Sequence, residues 1–212
     1  MLDYFEKIRS KEPLDFVLRM AYLAEIREWD CRPHIERIRR YCLVIGDAMN
    51  IRQQDNELIS TACQLHDIGK VLIPDYLLLK SGKYDDAERT MIERHTLDGA
   101  KILDDSPTPI LQIAAKIALT HHERWDGSGY PNHLKGEEIP LGGRICAIAD
   151  VFDALTTVRT YKSIVGMDEA LKLIQESAYI LFDPKLVNVF TDRFEEIKRS
   201  NIVWENKKRP AG

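Results

Sequence analysis

The chain has 212 residues, 44% apolar and 30% charged, which suits one domain with a core, or a domain plus an appendage. A formal charge of −4 without a basic stripe disfavours binding along a polynucleotide backbone, and no apolar run of about 18 residues is present to span a membrane. Residues 1–10 lack a signal-peptide core, and Cys31, Cys42, Cys63 and Cys146 form no CxxC pair, so free thiols and a cytoplasmic setting are expected.

In chain order, residues 14–26 are rich in apolar side chains and are expected to form a separate N-terminal helical segment, 1–29. Helical periodicity predicts a helix over 33–49, then further helices near 55–67, 86–104, 107–122, 143–157, 168–178 and 184–198. Strand-like alternation is almost absent. The expectation is an all-α fold, a compact bundle of seven or more helices over 30–198, followed by a basic, polar tail at 199–212. Asp85 with Glu88 has capping-box spacing; Ser106-Pro107 and Asp183-Pro184 read as N-caps followed by proline, and Asp168 as the cap of a helix starting at Glu169. The segment from Trp125 to Gly143, rich in glycine and proline, is long for a loop in a compact bundle and is expected to be functional.

The polar residues on the helix faces carry the chemistry. His34 shares a stripe with Ile38, Cys42 (or Tyr41), Ile45 and Met49. His66 lies in line with Ile59 and Ala62, and His95 falls among Met91, Ile92, Gly99, Ile102 and Leu103. His121 follows Ile110, Ala114 and Ile117; His122 follows Leu111 and Ala118. Five of the six histidines thus project from apolar faces, accompanied by Asp67 and by Asp150, one turn after Cys146; His133 stands apart in the loop and reads as solvated. A single histidine on such a face is an ordinary hydrogen-bonded core residue. Two buried carboxylates are different, because without cationic partners each costs several kcal/mol, and the nearby cations, Lys70 and Arg144, lie at helix ends. A metal cluster would satisfy all these groups at once, provided they converge. Mixed imidazole and carboxylate ligation suits iron, manganese or zinc, and two adjacent metals with a bridging carboxylate and hydroxide suit phosphoester hydrolysis. The plainer alternative is a helical scaffold with satisfied core histidines.

Two stretches then stand out together: His66-Asp67-Ile68-Gly69-Lys70, and His121-His122-Glu123-Arg124-Trp125-Asp126-Gly127-Ser128-Gly129-Tyr130-Pro131. They resemble the signatures of the HD-GYP domain, a subset of the HD phosphohydrolase superfamily. His95-Thr96-Leu97-Asp98-Gly99, Gly143-Arg144-Ile145, the run from Ala149 to Leu155, Arg159-Thr160-Tyr161-Lys162 and Phe182-Asp183-Pro184 are also similar to it, so the likeness covers residues 30 to 195. The resemblance implies an HD-type helical bundle and a site with two or three divalent transition metals, iron or manganese. It implies hydrolysis of cyclic di-GMP to linear pGpG, to GMP or to both, through a metal-bridging hydroxide. By position it makes His34, His66, Asp67, His95, His121, His122 and Asp150 metal ligands, with Asp67 bridging two metals. Asp67 and Lys70 become the catalytic pair, Lys70 at the scissile phosphate, while Arg159 and Lys162 match a pair that contacts substrate phosphates. Arg144 is assigned either to substrate or to a core carboxylate, Asp126 to the ligand-side loop, and Tyr130 either to the ligand pocket or to a GGDEF-domain partner.

The chain departs from the family pattern at two places. Trinuclear members carry a glutamate four residues before the first histidine; here that position is Asp30, a further candidate metal ligand but one methylene shorter, which leaves two metals or three open. Ahead of Phe182 the family's glycine and histidine are replaced within Tyr179-Ile180-Leu181. The alternative functions are a cyclic-dinucleotide sensor or GGDEF-docking module with little turnover, and a phosphohydrolase acting on another nucleotide. The apolar segment at 14–26 either covers the bundle or mediates a homodimer.

Overall fold

The computed structural model describes residues 15–17, 19–27, 32–157 and 165–207, with the backbone alone at 32 and 201–207. Among them no strand forms, and a single isolated bridge joins Ala178 and Phe182. The expected all-α class is borne out. Helices are α1 (Arg32–Ala48), α2 (Gln53–Ala62), α3 (Asp75–Leu78), α4 (Asp86–Leu103), α5 (Pro109–Thr120), α6 (Leu141–Thr156), α7 (Met167–Glu176), α8 (Pro184–Asp192) and α9 (Phe194–Lys207). Short 3₁₀ turns occupy Cys63–Leu65, Ile68–Leu72 and Gly136–Glu138.

The apolar stripes dictate the packing. Ile38, Tyr41, Cys42 and Ile45 of α1 and Ile145, Ile148, Ala149 and Phe152 of α6 are all buried in one core. Tyr41 meets Phe152 edge-on with ring centroids 5.3 Å apart, and Phe190 of α8 meets Phe152 at 5.1 Å. Each aliphatic or aromatic side chain buried this way contributes about 2 kcal/mol of transfer free energy, so the α1–α6 seam is a strong constraint. Residues 15–17 and 19–25 are helical and place Val17, Ala21 and Ala24 in the same core. Cys42, Cys63 and Cys146 are free and buried.

Two expected caps are present. Asp85 and Glu88 form a reciprocal capping box, and Asp183 accepts from the Lys185 amide at 2.9 Å. Two others are displaced. Ser106 uses its hydroxyl to accept from the Thr108 amide, so Thr108 is the N-cap of α5 and Pro109 its first residue. Helix α7 starts at Met167 after Gly166, leaving Asp168 in the first turn, paired with Lys198 of α9 at 2.5 Å. The single helix expected over 184–198 breaks at Arg193, although the apolar period runs through the break without a signal. The turn ahead of Phe182 does form: Tyr179 takes a positive φ of 67°, a conformation for which a glycine is better suited.

The helix expected over 55–67 ends early, and this difference positions the site. α2 gives way at Cys63 to tighter 3₁₀ geometry, and His66 and Asp67 stand between two such turns. The second turn runs against α4. A Cβ on Gly69 would lie 1.9 Å from the His95 carbonyl oxygen and 2.5 Å from the Gly99 amide nitrogen, so only glycine allows this approach. Gly69→Ala should therefore destabilise the fold by about 3 kcal/mol. The measurement is the urea midpoint; an unchanged midpoint would show that the turn can move away from α4 freely.

Candidate metal centre

Four histidines from four parts of the chain turn the same ring atom inward, toward two adjacent groups of ligand atoms. His66 Nδ1 lies 2.9 Å from the Cys63 carbonyl oxygen, His95 Nδ1 2.7 Å from that of Ile92, and His121 Nδ1 3.0 Å from that of Ala118. A carbonyl only accepts, so each Nδ1 carries a proton and Nε2 is the ring atom turned inward. His34 follows the same rule, its Nδ1 donating to Asp153 Oδ2 at 2.7 Å. The inward nitrogens lie close to one another or to a carboxylate: His95 Nε2 and His121 Nε2 are 3.4 Å apart, and His34 Nε2 and His66 Nε2 each lie 3.9 Å from Asp150 Oδ1.

Asp67 sits at the meeting point. Its Oδ1 is 3.3 Å from His95 Nε2 and 3.6 Å from His121 Nε2; its Oδ2 is 3.3 Å from His66 Nε2 and 2.8 Å from Lys70 Nζ. Asp67, His95, His121 and His122 each offer a ligand atom within 4.8 Å of the others, and Glu25, His34 and His66 form a second such group. Burial alone would raise the Asp67 pKa, but Lys70 and His66 outweigh it and hold the carboxyl well below its usual range. Burial, offset only in part by Asp67, pushes His95 down to about 4. Burial together with the charges of His121 and His95 holds His122 far below the usual imidazole range. Around His34 burial is outweighed by Glu25 and Asp153, which raise its pKa and so favour positive charge at that end. His66 Nε2, Asp67 Oδ1 and Glu25 Oε1 are buried without a hydrogen-bond partner. Buried nitrogen and oxygen atoms without hydrogen-bond partners, aimed inward from imidazoles and carboxylates, are the donor set of a divalent metal site, and these residues fit one.

A family model described as the HD domain matches residues 20–186 of the chain. The chain belongs to the HD domain family. The HD-GYP resemblance read from the two signatures is borne out by the relatives. A 3′3′-cGAMP-specific phosphodiesterase 2 of Vibrio cholerae is 39% identical over 182 residues, 86% of this chain and 35% of that protein. A cyclic di-GMP phosphodiesterase of Thermotoga maritima is 43% identical over 175 residues, 82% of this chain and 48% of that protein. The chain thus spans between a third and a half of the length of these relatives. Among solved structures, a cyclic GMP-AMP specific phosphodiesterase of V. cholerae (V-cGAP3) aligns with a TM-score of 0.61 at 20% identity, covering 86% of this chain and 48% of that one, which shows the shared fold.

The frame around the cluster of this HD domain is polar and buried. Asp153 receives the His34 ring proton and two bonds from Arg37, at 2.5 Å to Oδ1 and 2.9 Å to Oδ2, and is held ionised although burial opposes it. In the sequence Asp153 stands within the run from Ala149 to Leu155, and its place one helical turn after Asp150 on α6 is the signal that marks it. The long loop is anchored by a second residue the sequence did not single out, Glu123. Its buried carboxylate accepts from the amides of Asn132 and Leu134 at 2.7 and 3.1 Å. Asp126 accepts from the Ser128 amide at 2.8 Å, and its own amide donates to the Ile180 carbonyl at 3.0 Å. Tyr130 is brought to the cluster: its ring stacks on His122 with centroids 4.8 Å apart, and the following peptide bond to Pro131 is cis. Arg144 pairs with Asp183 at 2.7 Å and lies over the Trp125 ring, so of its two expected roles the structure supplies the carboxylate partner. His133 is exposed. Asp30, Arg159 and Lys162 lie outside the described residues.

Because Asp153 fixes the His34 tautomer, Asp153→Asn should weaken metal binding about 10- to 100-fold. Titration of the metal-free protein with Mn²⁺ measures this; unchanged affinity would mean that the tautomer is set by other groups.

Proposed function

We propose that this chain is a metal-dependent phosphodiesterase that hydrolyses a cyclic dinucleotide, with cyclic di-GMP as the substrate and linear pGpG or GMP as the product. The observation that carries the reading is the convergence of three Nε2 atoms, of His66, His95 and His121, on the Asp67–Lys70 pair, with that of His34 beside Asp150. The names of the two relatives, which act on 3′3′-cGAMP and cyclic di-GMP, support the substrate class. Divalent metal held by His34, His66, Asp67, His95, His121, His122 and Asp150, iron or manganese on the donor chemistry, would supply Lewis acidity and lower the pKa of water.

The chain's own residues account for the rest. Lys70, whose side chain is 20% exposed, is a cation at the rim of the buried cluster, able to meet a phosphoryl oxygen while staying beside Asp67. Charge grows on those oxygens as water adds to phosphorus and the P–O3′ bond breaks, so a fixed ammonium there favours the transition state over the bound substrate. Tyr130, stacked on His122, offers an aromatic wall beside the reacting phosphate. Arg159 and Lys162 hold the distal phosphate in this proposal, and Asp126 orders the loop that carries Tyr130. The reaction belongs in the cytoplasm, where cyclic dinucleotides are made; among the described residues no helix is long and apolar enough to cross a membrane.

The test is anaerobic purification with Fe²⁺ or Mn²⁺, metal analysis, and chromatography of cyclic di-GMP and 3′3′-cGAMP incubated with the same sample. Cleavage of cyclic di-GMP is expected, and Lys70→Ala should lower kcat about 100-fold or more with metal content unchanged. A metal-loaded chain that binds both nucleotides and cleaves neither would be a receptor. A chain that takes up no metal would overturn the cluster reading.

A further inference from the structure

We infer that Glu25, from the N-terminal helical segment, is a metal ligand, completing with His34 and His66 a cation subsite beside the one formed by Asp67, His95, His121 and His122. This rests on the metallohydrolase reading and adds to it a residue that neither signature contains. The family pattern directs attention to the position four residues before the first histidine, which here is Asp30; Glu25 stands nine residues before it, on a different helix.

Several independent observations converge on Glu25. It is 1% exposed, at the end of a helical segment whose buried face includes, among the described residues, the apolar Val17, Ala21 and Ala24. A carboxylate at the end of such a face is unfavourable unless a cation or donors meet it. Oε1 has no hydrogen-bond partner. Oε2 lies 3.7 Å from His34 Nε2, too far for a hydrogen bond and suited to two ligands of one ion. His66 Nε2, itself without a hydrogen-bond partner, completes the group, and one ligand atom from each of the three lies within 4.8 Å of the others. Asp150 Oδ1, 3.9 Å from both ring nitrogens, faces the same subsite.

The placement of Glu25 is enforced by a neighbour. Arg27 donates to the Ile73 carbonyl at 2.9 Å, to Asp75 Oδ1 at 2.7 Å and to the Lys70 carbonyl. The end of the N-terminal segment is thus tied to the turn that carries Lys70. A cation bound by Glu25, His34 and His66 ties that same segment to α1 and to the His66–Asp67 corner. The metal then joins three pieces of chain, and the N-terminal segment is part of the site.

The competing role for Glu25 is a plain ion pair with a protonated His34, and stability separates the two. The experiment compares the whole chain with Glu25→Gln and with Asp30→Asn. Bound Mn²⁺ per chain is counted by elemental analysis and by electron paramagnetic resonance of free Mn²⁺, and Tm is recorded with and without chelator. Ligation predicts that Glu25→Gln loses one bound ion, or binds it at least about tenfold more weakly, while the other ion is retained. It also predicts a metal-free Tm equal to or above that of the unaltered chain, and a smaller rise on adding metal. Asp30→Asn is expected to keep both ions. Unchanged Mn²⁺ binding by Glu25→Gln overturns the inference, as does loss of the ion in Asp30→Asn instead; a lower metal-free Tm with unchanged Mn²⁺ binding would establish the ion pair. Should Glu25→Gln not fold, Glu25→Asp, which keeps the charge on a shorter arm, decides by the same weakening or its absence. An unaltered chain that binds no Mn²⁺ or Fe²⁺ would sink the metallohydrolase reading itself, an outcome distinct from all of these.

Discussion

The structure depends on the burial of one carboxylate, Asp67, among imidazole nitrogens. Coulombic interaction inside a low-dielectric core is strong in both directions, so a charge placed there must be met or the fold loses stability. Lys70 meets Asp67 from one side at 2.8 Å, while His66, His95 and His121 approach its two oxygens between 3.3 and 3.6 Å without settling into hydrogen bonds. That spacing suits atoms that share a third partner. The helices around the cluster serve this arrangement. The seam between α1 and α6 fixes His34 against Asp150 and Asp153, and the packing of α4 on the Ile68–Leu72 turn, with α5 on α4 and on the Cys63–Leu65 turn, brings His95 and His121 to Asp67.

The orientation of the rings is settled one layer out. Three backbone carbonyls and one carboxylate, all acceptors, hold the Nδ1 protons of four histidines outward. Two of those carbonyls belong to the final turns of the helix or helical turn that carries the ring, Cys63 for His66 and Ala118 for His121. His95 makes the same bond to the Ile92 carbonyl within α4, so in all three the acceptor lies three residues back in the ring's own turn. The early ending of α2 serves Asp67: continued α-helix would have carried it round the axis.

The loop after α5 follows a similar logic with fewer apolar contacts. Its backbone amides are gathered by Glu123, Asp126 and the carbonyls of Ile180 and Leu181. The turn at 177–182, in which Tyr179 occupies a left-handed conformation, is therefore a support for the loop that presents Tyr130. The N-terminal segment is likewise bound into the centre, through three buried side chains in the core, through Arg27 at the Lys70–Asp75 turn and through Glu25 beside His34.

Much of this was legible in the amino-acid sequence, because hydrophobic period and motif spacing are local properties. The all-α class, the capping box at Asp85 and the cap at Asp183 followed from side chains that act on their own backbone within a few residues. Histidines on apolar faces signalled polar groups bound for the interior, and the two signatures named the family before any coordinates. Helix limits were less legible where a competing local bond decided them, as at Ser106, or where nothing local marked the break, as at Arg193. The tertiary structure alone decided which lone pairs share a centre, because convergence depends on contacts between residues distant in the chain: His34 with Asp153, Asp67 with His121, and Glu25 with His34 and His66. It also turned Arg144 toward Asp183, and it singled out Glu25, whose place on a short, mostly apolar helix carries no periodic or motif signal. The sequence by itself determined which helices form and which faces are buried, since those follow from side-chain hydrophobicity and spacing; only the packing of the helices determined where the buried charges meet.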